Sequence, residues 1–449
     1  MSNITIVGGG LVGSLLAVFL AKRGHKVNVF ERRGDPRKTD VYAGRSINLV
    51  VSHRGWTALR AAGVDGAVQE ITVPVYARMT HDREGNTARL PYSIDNKAIH
   101  SVSRGELNCR LLTEAEKLPN VALHFDHRCV DVDLDNATCS FKPDGGEVKE
   151  VKSDVVFGSD GAFSAVRAKM MQGRFTYSQE YIEHDYKEIA FPSNADGTPK
   201  MDPQCLHIWP RRYFMMMGLA NQDGGFTGTL FMPHSATQDS PGFDTVQDEK
   251  DVRKFFSDHF ADALPLVPDL VDQYMRNPQS SLVIVRCAPW NHSGRVALIG
   301  DAAHAIIPFY GEGMNAGFED CRVLNDLLNA HGDDNWNEVL PLYAASRKPN
   351  GDAIAELSQR NFIEMRDRVS DPRFILRKKI EGRIQQLHPD KWLPLYSQVK
   401  FSDIEYKDAL KEGQRHDRIM EDVLAMPGVE EKWESEEVER RALELLRST

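Results

Sequence analysis

Three glycines near the start of the chain, Gly8, Gly10 and Gly13, have types and spacing that suit a pyrophosphate. In GxGxxG the first glycine permits a tight turn. The second lets a pyrophosphate approach the backbone, and the third lets a helix pack on a strand. Glu31 closes the next apolar stretch, where a carboxylate accepts hydrogen bonds from a ribose diol. Its neighbours Arg32 and Arg33 could favour a phosphorylated ribose or simply carry surface charge. This motif by itself leaves FAD and NAD(P) open. Far downstream, Gly300-Asp301-Ala302-Ala303-His304 follows another apolar stretch. Asp301 at a strand end can bind a polyol such as ribitol, or it can cap the helix that follows. The segment from Pro308 to Asn315 then leads into a further helix. The free N–H groups at that helix start suit the electron-rich edge of an isoalloxazine, so the downstream half of the pattern favours FAD.

The elements needed to hold these residues can be read from the hydrophobic pattern. Ile4 to Val7 is a strand, Ser14 to about Arg23 a helix stopped by Gly24, and Val27 to Phe30 a second strand. Residues 102–120 read as a helix and 121–157 as several strands. The last strand, Val155 to Phe157, runs into Gly158-Ser159-Asp160-Gly161. Residues 176–235 alternate like an antiparallel sheet, and Met215 to Met217 read as its core. Helices are expected over Asp251 to Phe260 and Met314 to Ala330, with mainly helix beyond Pro341. Glu430 to Arg447 is dense in charge and reads as a solvated terminal helix. The expected fold class is α/β. A discontinuous Rossmann-type FAD-binding domain (1–72, 101–176, 285–346) holds an inserted antiparallel substrate sheet (73–100, 177–284). A helical region (347–449) completes the pocket.

Composition narrows the function classes. The chain has 449 residues, 41% hydrophobic and 27% charged, as in an ordinary globular protein of two or three domains. With 55 basic and 65 acidic residues its net charge is -10, which disfavours general nucleic-acid binding. Six cysteines without a CxxC pair give neither a disulfide framework nor a zinc site, and suit a reducing cytoplasm. Ile4 to Ala21 is uncharged, but it lacks a basic lead-in and holds four glycines, so it reads as soluble strand-turn-helix.

GxGxxG, Asp160-Gly161 and the GDAAH segment at 300–304 together resemble the FAD-dependent aromatic hydroxylases of the para-hydroxybenzoate hydroxylase type. Further segments narrow the resemblance to the family of kynurenine 3-monooxygenases: Gly44 to Leu49, Ala77-Arg78-Met79, Ser101 to Arg104, Leu206 to Arg211, Phe226-Thr227, Asn361 to Arg366, and Trp392 to Tyr396. The likeness runs from residue 4 to about 410. It implies NADPH-driven reduction of a non-covalent FAD. Oxygen then adds at the flavin C4a, and an oxygen atom passes from the hydroperoxide to kynurenine, giving 3-hydroxykynurenine. No side chain is implied as catalytic acid or base, and no metal. By position the resemblance implies FAD contacts at Val12, Phe30, Glu31, Arg32, Arg33, Val50, Arg104, Cys129, Asp301, Met314 and Asn315, beside the three motif glycines. Substrate contacts are implied at Arg78, Tyr92, Asn361 and Tyr396, with Glu364 available to the substrate ammonium. The planar fork of Arg78 suits a carboxylate.

Three features depart from the family pattern: Tyr310 and Glu312 in the loop before the helix, Ser159 in the Gly-Ser-Asp-Gly turn, and the charged C-terminus in place of a hydrophobic anchor. Glu312 is expected to place an acid beside the flavin. The charged tail leads to the expectation of a soluble cytoplasmic enzyme, monomeric or homodimeric, with no membrane or nucleic-acid partner. His304 is expected to serve in packing or capping. The competing readings are a related hydroxylase of another aromatic acid, and a non-catalytic FAD-binding redox sensor.

Overall fold

The strands Asn3–Val7, Val155–Gly158 and Val296–Leu298 are almost wholly buried on both faces. Such strands belong in the middle of a parallel sheet covered on two sides. In the computed structural model, which describes residues 1–39, 47–93, 95–368 and 371–448, they do so. The sheet has six strands in the order Asn291–His292, Val296–Leu298, Val155–Gly158, Asn3–Val7, Lys26–Phe30, Val121–His124. All pairings are parallel except that of the edge strand Asn291–His292. The register aligns Val7 with Gly158 and with Phe30, and Gly158 with Leu298. Gly8, Glu31, Ser159 and Asp301, distant in sequence, therefore gather at one carboxyl edge, where open α/β sheets bind ligands. Gly44, Arg45 and Ser46 of one family-like segment lie outside the described residues.

The helix Leu11–Lys22 is buried from Gly13 to Ala21, wedged against the helices Arg104–Glu116 and Gly313–His331. Burial on several sides explains why the helix carries no charge before Lys22. Among the described residues no helix is long and apolar enough to cross a membrane.

A second sheet has seven strands: Ser280–Ala288, Thr176–Phe191, Phe226–Pro233, Met215–Ala220, Cys205–Pro210, Ala77–His81 and Thr87–Pro91. It is antiparallel throughout, save that Ala77–His81 joins Cys205–Pro210 in parallel. That parallel addition carries Arg78 into the sheet, and no local pattern announces it. The helix expected over 102–120 starts later. Residues Ile99–Ser103 form a strand, and the Ser103 hydroxyl accepts the Glu106 N–H to cap the helix Arg104–Glu116. Ser-x-x-Glu is a capping signature legible in the sequence.

Beyond the long helix Trp336–Ile363 come Pro372–Leu387, Leu395–Phe401, Tyr406–Leu424 and Glu436–Ser448. The terminal helix is not simply solvated, as its charge had suggested. Val438, Ala442 and Leu445 share one face and bury against Ile380, Trp392, Ile419 and Val423. The charges occupy its other face, the usual solution for an amphipathic surface helix.

Candidate functional site

A cavity of about 550 Å³ runs from the carboxyl edge of the parallel sheet to the face of the seven-stranded sheet. Its first end is shaped by the glycines. Gly8 has φ +107°, and a Cβ there would lie 2.4 Å from the Ser159 carbonyl oxygen. A Cβ on Gly13 would lie 2.0 Å from the Gly8 carbonyl oxygen, so helix and turn touch. Gly10 differs: a Cβ there would meet nothing within 4 Å. It lines the cavity just before the first turn of Leu11–Lys22, where N–H groups have no intrahelical partner. The cradle is open at the position where GxGxxG needs it open, whereas Gly13 lies behind the wall.

Glu31 sits on this wall, 7% exposed. Its Oε2 accepts the Gly9 N–H at 3.0 Å, and its Oε1 accepts Arg33 N and Nε, each at 3.0 Å. The carboxylate thus ties the glycine turn to the end of Lys26–Phe30. Phe30 stacks between Phe141, at 3.9 Å, and His124, at 4.4 Å, and forms part of the lining with Arg32 and Arg33. Val12, Val50, Arg104 and Cys129 reach the same cavity from four different elements.

Asp301 is exposed and lines the cavity as the first residue of Asp301–His304. The residue in the capping position is Gly300, so Asp301 is not that helix's cap. Met314 also lines the cavity, at the first turn of Gly313–His331. Asn315 does not. Its Nδ2 donates to Val50 O at 2.8 Å and Gly311 O at 3.0 Å, and its Oδ1 accepts Ser52 N–H at 3.0 Å. Any ligand contact from Asn315 has to use its backbone.

At the other end stand Arg78, Tyr92 and Tyr396. The two phenol rings stack at 5.2 Å, and the Arg78 guanidinium lies 5.7 Å from the Tyr92 ring centre and 5.0 Å from that of Tyr396. Arg78 Nε and Tyr92 OH are buried without a hydrogen-bond partner among the described residues. Burial alone would lower the Arg78 pKa, but Tyr396, Tyr92 and the Glu364 carboxylate outweigh it and the net shift is upward. Burial pushes the Tyr92 and Tyr396 phenols up, so both keep their protons. A permanent cation and a donor hydroxyl are therefore held ready for an anion.

Asn361 and Glu364 stand outside the lining. Asn361 Nδ2 donates to Phe309 O at 2.7 Å and meets Met365 Sδ at 3.2 Å, so its amide props the loop Pro308–Tyr310 from behind. Glu364 opens a π-helical turn, Glu364–Arg368, 4.0 Å from Lys378 Nζ.

Sequence reasoning missed three features. Met215 and Met216 are buried sheet core, each 1% exposed, but Met217 lines the cavity. Lys400, one turn after Tyr396 and equally part of the lining, donates to Glu312 Oε1 at 2.7 Å. Glu312 also accepts Tyr406 OH at 2.6 Å, so the acid expected beside the flavin is compensated in place. A buried ion network lies behind the helix start. Glu319 pairs with Arg54 at 2.8 Å and Arg347 at 2.9 Å, and Asp320 pairs with Arg347 at 2.7 Å and His304 at 2.6 Å. His304 also stacks on Trp290 at 5.1 Å, which is the packing role expected for it. Burial alone would raise the Asp320 pKa, but His304 and Arg347 outweigh it and hold it low. The available signal was polar residues at helical spacing, 312, 315, 319 and 320, on one face of Gly313–His331.

The open glycine cradle, two helix N-termini and the Glu31 wall fit a dinucleotide carrying a ring system. The opposite end fits a small carboxylate. The sequence pattern of the FAD binding domain family matches residues 1–358. The chain is 46% identical over 447 residues to the kynurenine 3-monooxygenase of Christiangramia forsetii, with 99% of each chain covered. It is 47% identical over 446 residues to that of Flavobacterium johnsoniae, with 99% of this chain and 98% of the other covered. Among solved structures, the tetrameric form of 2-methyl-3-hydroxypyridine-5-carboxylic acid oxygenase shares the fold. The TM-score is 0.67 at 17% identity, over 82% of this chain and 94% of that one.

Proposed function

This chain belongs to the family of kynurenine 3-monooxygenases, and on that premise we propose that it hydroxylates L-kynurenine to 3-hydroxy-L-kynurenine with NADPH and O2. The observation that carries the reading is one cavity with a glycine cradle at one end and the unpartnered Arg78 Nε at the other.

Bound FAD supplies the redox chemistry, accepting electrons from NADPH and delivering them to O2. The residues that would hold it are Gly8, Gly10 and Val12 at the pyrophosphate, with Gly13 packing the helix against the Gly8 turn behind them, and Glu31 at the ribose. Asp301 would meet the ribitol. The adenosine end would fall to Phe30, Arg32, Arg33, Arg104 and Cys129. Val50, Met314 and the backbone of Asn315 would meet the ring. The parallel-sheet segments 1–72, 101–176 and 285–346 thus carry the cofactor. Residues 177–284 and, of 73–100, the strands Ala77–His81 and Thr87–Pro91 supply the substrate sheet, while Val73–Val75 and Ile99–Ser103 join Asn48–Val51 in a separate small sheet; the helical region from 347 onward closes the pocket.

Toward the substrate, Arg78 takes the carboxylate through two parallel N–H donors, and the Tyr92 and Tyr396 hydroxyls add to the clamp. Glu364, expected at the ammonium group, stands outside the lining beside Lys378 and acts at one remove through its charge on Arg78. Asn361 acts at one remove, by fixing Phe309. An aminoaryl ring is electron-rich and activates its own ortho carbon, so the protein need only orient it and keep water out. Phe309, Phe231 and Met217 supply the apolar lining for that task. Six free cysteines suit the reducing cytoplasmic setting we assign to it, and we take it to act as a monomer or homodimer.

The test is NADPH oxidation by the purified, FAD-loaded protein. L-kynurenine should stimulate it strongly, and aromatic acids without an amino-acid head should not. Stimulation by such an acid but not by kynurenine would move the reading to a related hydroxylase. No NADPH oxidation with any aromatic substrate would favour a flavin-binding sensor.

A further inference from the structure

Lys400 and Glu312 are fully withdrawn from solvent, with side-chain exposures of 2% and 0%. Lys400 lines the cavity beside Gly311, Gly313 and Met314, the segment that leads into the helix Gly313–His331. Its Nζ donates to Glu312 Oε1 at 2.7 Å and to Gly311 O at 3.2 Å. The second Glu312 oxygen accepts Tyr406 OH at 2.6 Å and Ser52 Oγ–H at 3.3 Å. Asn315 Nδ2 approaches Oε1 at 3.3 Å. The carboxylate is thus saturated, and one ammonium cancels its charge.

Lys400 also sits four positions after Tyr396 on Leu395–Phe401, so both face the cavity from one side of a short helix. The pair therefore joins the substrate wall to the cofactor loop. A buried charge left without its partner is strongly unfavourable, and its field reaches nearby groups with little screening.

We propose that Lys400 is a positioning residue for the flavin: it cancels the Glu312 charge and pins Gly311, setting both the shape and the field of the loop that meets the flavin ring. This inference rests on the function proposed above. Reduction adds electrons to the ring, so a lone carboxylate at this loop opposes it and a lone ammonium favours it. The two single disruptions must then push the reduction equilibrium in opposite directions, which loss of packing alone would not do.

The experiment uses the FAD-loaded holoprotein and three variants: Lys400→Met, Glu312→Gln, and both together. Midpoint potentials are read by dye-equilibrated reduction, and FAD affinity by flavin fluorescence. Lys400→Met should shift the two-electron equilibrium about tenfold or more toward oxidised flavin, roughly 30 mV downward. It should also weaken FAD binding about tenfold or more, since one charge is left buried and alone. Glu312→Gln should shift the potential upward. The double variant should return to within about threefold of wild type, because both charges are gone. If Lys400→Met does not fold, a raised potential in Glu312→Gln that vanishes in the double variant supports the proposal. Shifts of the same sign, or none, in a wild-type background that does hold flavin overturn it. A wild type that takes up no FAD overturns the function reading and this inference with it.

Discussion

Replacing Arg78 by lysine keeps the charge and removes the fork. In the structure Arg78 Nε is buried without a partner, and the side chain rests 5.0 Å and 5.7 Å from two tyrosine rings. No carboxylate forms an ion pair with it among the described residues, so a substrate carboxylate would be its first full counter-charge. A charged hydrogen bond in such a place is worth about 1.5–3 kcal/mol. At about 1.4 kcal/mol per tenfold, Arg78→Lys should raise the KM for kynurenine roughly 10- to 150-fold. FAD content should not change, because Arg78 lies at the end of the cavity remote from the glycine cradle. The assay is steady-state NADPH oxidation against kynurenine concentration, with flavin content measured after denaturation. A kynurenine analogue without the carboxylate should bind poorly to wild type and lose little more in the variant, since the two changes remove one interaction. Unchanged KM, or two losses that simply add, would refute the assignment and make Arg78 a structural cation.

Three further outcomes follow from the geometry. Asp301→Ala should weaken FAD retention on desalting; full flavin occupancy would remove Asp301 from the site. Gly13→Ala drives a Cβ to 2.0 Å from Gly8 O. It should therefore cost about 1–3 kcal/mol in unfolding free energy and reduce FAD affinity; a variant with wild-type stability and flavin content would contradict that packing. His81 is held at about 4, below its usual 6.5, mainly by burial and then by His207, with Asp262 opposing. A depressed folded pKa means the unfolded chain takes up the proton first. This contribution to stability is therefore full above the unfolded value of about 6.5 and declines as pH falls toward about 4. Thermal unfolding across that window should show the decline, and His81→Gln should reduce it; an unchanged slope would exclude His81 as its source.

How much was legible depended on whether the signal was local. The turn at Gly8 to Gly13 and the strand before Asp301 announce themselves through spacing and apolar runs. Parallel strand order does not, yet the register of Val7, Gly158 and Leu298 is what unites those segments. Arg78 was named only through resemblance, because its strand enters the large sheet by a parallel pairing between residues more than a hundred positions apart. Glu312 was seen as a departure, but its compensation by Lys400 and Tyr406 depends on C-terminal helices folding back over the loop. The terminal helix misled for the opposite reason. Its many charges hid three apolar residues at helical spacing.

The most direct test of the account is a single turnover assay with NADPH, L-kynurenine and isotopically labelled dioxygen on the FAD-loaded protein. The account expects 3-hydroxykynurenine carrying one labelled oxygen atom, with NADPH oxidised in step with product. Kynurenine recovered unchanged while NADPH is consumed, or a hydroxylated product without the label, would contradict it.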